Sequence, residues 1–168
     1  LNSQGRLIIF CGIPGSGKTT IAKIVAERLG SVVHIQTDAI RSMISKPRYS
    51  RTELRFAYRS VTAVAREALK NEYDVILDGT FLKEEFRDEA LHRLAGLYRS
   101  ALLVHVACDF SVAYERNVAR REIVPKESFV RLYSRFERPR HALRIDSEKT
   151  SPELAAQAIL LQIGSDYP

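Results

Sequence analysis

The eight residues Gly12-Ile13-Pro14-Gly15-Ser16-Gly17-Lys18-Thr19 constrain this chain more than any other stretch. They match the pattern G-x-x-x-x-G-K-[ST] and sit between a strand-like apolar run, Leu7 to Cys11, and a segment of helical periodicity, Lys18 to Leu29. A chance match to the four fixed positions in a chain of this length has odds of roughly one in two hundred, and the strand and helix flanks lower them further. Glycines at these places open backbone conformations closed to other residues, so successive N–H groups converge on an anion while the following helix adds its positive end. The expectation is a cradle for a nucleoside triphosphate, ATP with Mg²⁺. Lys18 would reach the β- and γ-phosphates, the Thr19 hydroxyl would ligate the metal, and Thr20 would add a contact to the α-phosphate.

A loop of this kind needs a strand before it and a sheet around that strand. Apolar runs recur at Val32 to Ile35, Val75 to Leu77, Ala101 to Ala107 and Leu143 to Ile145. Helical periodicity falls between them at Asp38 to Ile44, Thr52 to Lys70, Lys83 to Leu97, Ser111 to Arg121, Lys126 to Phe136 and Pro152 to Ile163. Nearly continuous apolar strands suit parallel pairing buried on both faces. The fold class expected is therefore α/β: three layers around a five-stranded, mostly parallel sheet, with a helical lid around residues 116–126. At 168 residues this is one domain, residues 1–168. The least regular stretches are Ser45 to Ser50 and Arg121 to Pro125, candidate mobile loops.

Composition excludes some classes. The 26 basic residues against 20 acidic favour an anionic partner, which a nucleotide alone would satisfy. The two cysteines, Cys11 and Cys108, each stand next to apolar residues in a strand-like run and argue against a disulfide framework or thiolate metal site. No apolar run reaches membrane-spanning length, and Leu1-Asn2-Ser3-Gln4 lacks the basic and apolar regions of a signal peptide, so a cytoplasmic protein without membrane contact is expected.

Three further groups carry chemistry. Asp38 and Arg41, three apart at a helix start, share a face just beyond the second strand. An isolated D-x-x-R is as well read as an N-cap and a solvated charge. At the carboxyl end of a strand, where open α/β sheets bind ligands, it reads as a general base with a grip on an anionic acceptor. Val75-Ile76-Leu77-Asp78-Gly79-Thr80 is an apolar strand ending in a carboxylate, suited to Mg²⁺ or to capping the next loop, and Asp38 and Asp78 are open to exchanging the base and metal roles. Arg116 and Arg120, four apart with Arg121 beside them, would clamp donor phosphates when a lid closes, or simply complement a helix C-terminus.

Other basic residues are less telling. Arg55, Arg59 and Arg66 lie within about 40° of one another on a helical wheel, and with Arg48, Arg131, Arg135, Arg138 and Arg140 could track an RNA backbone or merely stay wet. Tyr49 and Tyr58 would stack on a base or join the core. His34, His92, His105 and His141 show no metal-ligand spacing and read as structural or surface residues.

The loop Gly12 to Thr19, the D-x-x-R at Asp38 and Arg41, the V-I-L-D-G-T-F at Val75 to Phe81 and the R-x-x-x-R at Arg116 and Arg120 together resemble the P-loop kinases. Val124-Pro125-Lys126 and Phe136-Glu137-Arg138-Pro139 extend the likeness toward the branch with polynucleotide 5′-hydroxyl kinases, seryl-tRNA(Sec) kinases and zeta-toxin-like kinases, often labelled AAA-type ATPases. The resemblance implies a five-stranded parallel sheet, an ATP site at Lys18 and Thr19, a general base at Asp38, Arg41 facing the acceptor's phosphate, and Arg116 or Arg120 meeting the donor's. The acceptor signatures of adenylylsulfate, gluconate and shikimate kinases are not complete here. The expected activity is transfer of the γ-phosphoryl group of ATP to a hydroxyl on a nucleic-acid end, a seryl-tRNA or a small metabolite. The alternative is a nucleotide- and RNA-binding regulatory ATPase without such an acceptor. Oligomeric state is not legible.

Overall fold

The computed structural model describes residues 4–46, 50–120 and 123–164. Arg48, Tyr49 and Arg121, assigned above to a basic surface, a stacking group and the lid, lie outside the described residues, as does part of each candidate loop. Five strands, β1 (Arg6–Cys11), β2 (Val32–Gln36), β3 (Asp74–Asp78), β4 (Ser100–Ala107) and β5 (Leu143–Asp146), form one sheet in the order β2-β3-β1-β4-β5, every pairing parallel. The helices are α1 (Lys18–Leu29), α2 (Thr37–Ser42), α3 (Arg51–Lys70), α4 (Glu84–Leu94), α5 (Phe110–Val118), α6 (Lys126–Arg135) and α7 (Pro152–Gly164).

β1 is apolar throughout its buried length because it is covered twice. Leu7, Ile9 and Cys11 pack with α3 and α4, and Ile8 and Phe10 with α1 and α7. Full burial of each large side chain contributes roughly 1.5–3 kcal/mol, so this central strand is the best-anchored platform on which a loop could stand. α3 starts at a capping box: the Glu53 backbone N–H donates to Ser50 Oγ at 3.2 Å and the Ser50 N–H to Glu53 Oε2 at 3.3 Å. Its buried face carries Tyr58, Val61, Ala65 and Leu69.

Some boundaries differ from the periodicity. α4 stops at Leu94 rather than Leu97, before Gly96 turns the chain at a φ of +78°. α5 ends at Val118 rather than Arg121. Of the basic stripe on α3, Arg59 faces Glu89 of α4 at 3.8 Å and Arg66 donates to the Arg93 carbonyl at 2.5 Å. Two of its three arginines are thus engaged with the protein itself. Among the described residues no helix is long and apolar enough to cross a membrane.

Candidate active site

The register places the chemistry at one edge. Phe10 of β1 pairs with Asp78, and so does Gln36 of β2. The chain therefore leaves β1 into the glycine loop, β2 into Thr37-Asp38 and β3 into Gly79 at neighbouring points. This is the carboxyl edge of the sheet, where the chain leaves β1 toward one side, to β2, and leaves the adjacent β3 toward the other, to β4, the usual crevice of an open α/β fold. A cavity of about 1060 Å³ opens there, lined by the glycine loop, Asp38, Arg41, Asp78, Arg116 and Arg120. All the residues singled out for transfer chemistry border this one space.

The loop is held from behind. The Gly12 N–H donates to the Thr80 carbonyl at 3.2 Å and the Ser16 N–H to the Ile13 carbonyl at 3.2 Å. Gly15, at a φ of +78°, lies so close to α5 that a Cβ there would overlap the Ala113 carbonyl oxygen. Ile13 packs with Ala113 and Phe129 in a small separate core. α1 has no side-chain cap and no acidic residue in its first turn, which leaves its first N–H groups and positive end for a ligand. Lys18 is buried, and its Nζ donates to the Ile13 carbonyl at 2.8 Å and Ser16 Oγ at 3.4 Å. Burial lowers its pKa, opposed by the carboxylates of Asp78 and Asp38 and reinforced by Arg120.

The two acidic residues live in different surroundings. Asp78 is buried, and its Oδ2 lies 3.2 Å from His34 Nε2 on the adjacent strand. Asp38 is largely exposed at 64%, and its Oδ1 accepts from Arg41 Nη1 at 3.3 Å. A buried carboxylate fixed by a strand and a histidine is suited to holding a ligand in place, and an exposed one to meeting an incoming substrate. Asp38 is not an N-cap: Gln36 precedes the helix and Asp38 lies within its first turn. A Cβ at Gly79 would run into the Thr37 side chain, so the glycine lets β3 and the start of α2 approach closely.

The two lid arginines separate. Since α5 ends at Val118, Arg120 follows the helix instead of sharing a face with Arg116. Arg116 donates to Ser147, from Nη1 to Oγ at 2.9 Å and from Nη2 to the carbonyl at 3.2 Å. Among the described residues the Arg120 side chain has no hydrogen bond or ion pair, so its guanidinium is available to phosphate.

Sequence reasoning missed three residues. His34 braces Asp78, a contact that depends on strand register. Asn117 is fully buried and spans the arginine loop, donating from Nδ2 to the Val124 carbonyl at 2.9 Å and accepting at Oδ1 from the Val124 N–H at 3.1 Å. Arg87 on α4 is buried and donates from Nη1 to the Phe81 carbonyl at 2.6 Å, while its Nη2 has no partner among the described residues. It holds the turn after Asp78, where Phe81 adopts a φ of +40°. Its sequence signal was available: Arg87 falls on the same helical face as Ala90 and Leu94, where a surface charge does not belong. The cysteines are not reactive groups here. Burial pushes the Cys11 thiol up to about 11 and raises that of Cys108.

A family model described as AAA domain matches residues 7–139. The chain is 25% identical over 137 residues to an L-seryl-tRNA(Sec) kinase of Methanococcus maripaludis, covering 79% of this chain and 53% of that protein. It therefore spans about half the length of that relative. It is 30% identical over 148 residues to a cytidylate kinase of Archaeoglobus fulgidus, covering 80% of this chain and 73% of that one. Among solved structures, the Mycobacterium tuberculosis APS kinase in complex with AMPPNP and APS superposes with a TM-score of 0.78 at 18% identity, over 96% of this chain and 98% of that one, a likeness of fold.

Proposed function

The chain belongs to this AAA-domain family of P-loop kinases, and from that premise we propose that it moves the γ-phosphoryl group of ATP to a hydroxyl acceptor. The observation that carries the proposal is one cavity bordered both by the glycine loop and by Asp38 and Arg41. At about 1060 Å³ it reaches the upper end of the usual range for one small ligand, roughly 300–1,000 Å³, and suits two reactants held together.

In this scheme the loop N–H groups from Gly12 to Thr19, with Ile13, Pro14, Gly15, Ser16 and Gly17 between, cradle the triphosphate, and Thr20 adds a contact to it. Lys18 leaves the Ile13 carbonyl for the β- and γ-oxygens. The acceptor oxygen bonds to the γ-phosphorus as the bond to the β,γ-bridging oxygen breaks, the electron pair leaves with ADP, and the hydroxyl proton passes to Asp38. Arg41 holds the acceptor, and Arg120 with Arg116 meets the developing charge on the transferred group. Thr19 and Asp78 are the residues that would hold Mg²⁺. Both offer hard oxygen donors, and among the described residues no group of three or more metal-ligating side chains competes with them. A magnesium ion takes such a sparse protein share, completing its shell with phosphate oxygens and water. When bound it offsets phosphate charge.

A screen for transfer of radiolabelled γ-phosphate to nucleic-acid 5′ ends, seryl-tRNA, adenylylsulfate, nucleotides and sugars tests the proposal. Labelling of one acceptor class that Lys18→Ala abolishes is the expected result. Label released to water alone, at one rate with every acceptor, would replace the kinase by a plain nucleotide hydrolase.

A further inference from the structure

Asn117 lies in the last turn of α5, three residues before Arg120, and is fully buried. Its Nδ2 donates to the Val124 carbonyl at 2.9 Å and its Oδ1 accepts from the Val124 N–H at 3.1 Å. A planar amide, with donors on one arm and an acceptor on the other, meets both polar groups of one backbone residue, which a single hydroxyl oxygen cannot do in this geometry. Those two bonds also settle which way round the amide sits. An apolar side chain would fill the position without polar groups to satisfy, whereas a buried amide is costly unless it is paired. A fully paired one specifies where Val124 passes the end of the helix.

Both ends of this clasp rest against the glycine loop. Ala113, one turn before Asn117, packs with Phe129 against Ile13, and Val124 packs on the same small core. The Pro125 carbonyl accepts from the Phe129 N–H at 2.8 Å as α6 begins. Between these anchors the Arg120 N–H donates to the Asn117 carbonyl at 3.2 Å, a tightened turn that carries the chain just past α5. The backbone of Arg120 is thus placed relative to the glycine loop. Its side chain is exposed, lines the cavity and makes no hydrogen bond or ion pair among the described residues. An arginine with a fixed backbone and an unpaired guanidinium is oriented for an anion before the anion arrives.

We propose that Asn117 is a positioning residue for phosphoryl transfer, its clasp on Val124 holding Arg120 where the guanidinium meets the transferred phosphate. The inference rests on the role given to Arg120 above and deepens it. Asn117 itself does not line the cavity, so its effect on the reaction passes through Arg120. Without the clasp the Arg120 backbone has to be ordered as the transition state forms. Ordering about one residue corresponds to about tenfold in rate.

The test measures γ-phosphate transfer, to the acceptor that the screen identifies or to water if none is labelled, in Asn117→Ala, Arg120→Ala and the double variant. Affinity for a non-hydrolysable ATP analogue is recorded on the same preparations. Asn117→Ala should lower kcat about tenfold and change analogue affinity less than about threefold. In the Arg120→Ala background the same substitution should lower kcat less than about twofold, because the group it positions is gone. A merely structural role would give the same loss in both backgrounds. Should Asn117→Ala not fold, Asn117→Ser takes its place, since it keeps a polar group there but cannot bond both Val124 groups. An unchanged kcat, an equal loss with and without the Arg120 guanidinium, a matching loss of analogue binding, or failure of both Asn117 variants to fold overturns the positioning role. If Arg120→Ala itself leaves kcat unchanged, the role of Arg120 fails and the inference with it, whereas the kinase reading is decided separately by the acceptor screen.

Discussion

Replacing Gly15 by alanine should cost more than the same change at Gly17, although both belong to the loop. Each adopts a positive φ, +78° at Gly15 and +94° at Gly17, and forcing an L-residue there costs about 1–2 kcal/mol. The surroundings differ. At Gly17 the nearest atom a Cβ would meet outside its neighbours is the Ser147 Cβ at 3.9 Å, an ordinary contact. At Gly15 it would overlap the Ala113 carbonyl, and α5 cannot retreat without opening the small core of Ile13, Ala113 and Phe129. Overpacking of that sort adds roughly 1–3 kcal/mol. Gly15→Ala should therefore destabilise by about 3 kcal/mol and Gly17→Ala by about 1.5, and at about 2–4 °C per kcal/mol the melting temperature should fall by roughly 6–12 °C and 3–6 °C. Differential scanning calorimetry on the ligand-free protein reads both. Equal shifts, or a larger one for Gly17→Ala, would refute the claim that Gly15 serves the approach of α5 and not only the ligand.

Arg120→Ala should lower kcat by about a hundredfold with little change in the KM for ATP, as for a donor that acts in the transition state. Arg116→Ala should lower kcat by less, because its guanidinium is engaged with Ser147, and steady-state kinetics of the two variants separates the roles. His105 is held at about 4, first by burial and then by the charges of Arg144 and Arg138. A neutral form favoured by folding means that the unfolded chain takes up the proton first as pH falls below 6.5, so this histidine removes stability between pH 6.5 and 4, up to about 3 kcal/mol at the lower limit. Urea melts of His105→Gln should show a shallower loss than the parent over that window. Arg87→Met should stay within about 1 kcal/mol of the parent in the same melts, because a buried charge without a carboxylate is replaced by an apolar chain, yet it should lower kcat by loosening the turn after Asp78. A loss of 3 kcal/mol or more would mean that the Phe81 contact dominates.

The elements were legible because their cause is local. Continuous apolar runs gave all five strands, and the helical periodicity from Thr52 to Lys70 gave the longest helix nearly to the residue. The glycine loop was legible because its spacing carries its own mechanism. What escaped depends on distant partners. Asn117 bonds to Val124 across the arginine loop, α5 stops at Val118, and Arg116 and Arg120 are parted as a result, which no periodicity within the segment encodes. His34 meets Asp78 only through the register of β2 on β3. Arg131 and Arg135 read as two more surface charges until α6 set them against the same cavity as Asp38.

The central claim is that one cavity positions donor and acceptor, with Asp38 acting on the acceptor alone. The most direct measurement follows Asp38→Ala with the acceptor found by the transfer screen, recording label transfer and the affinity for a non-hydrolysable ATP analogue on the same preparation. Transfer should fall by about 10²–10⁴, the range for loss of a general base, while analogue affinity changes less than about threefold. Undiminished transfer, or an equal loss of analogue binding, would contradict the account.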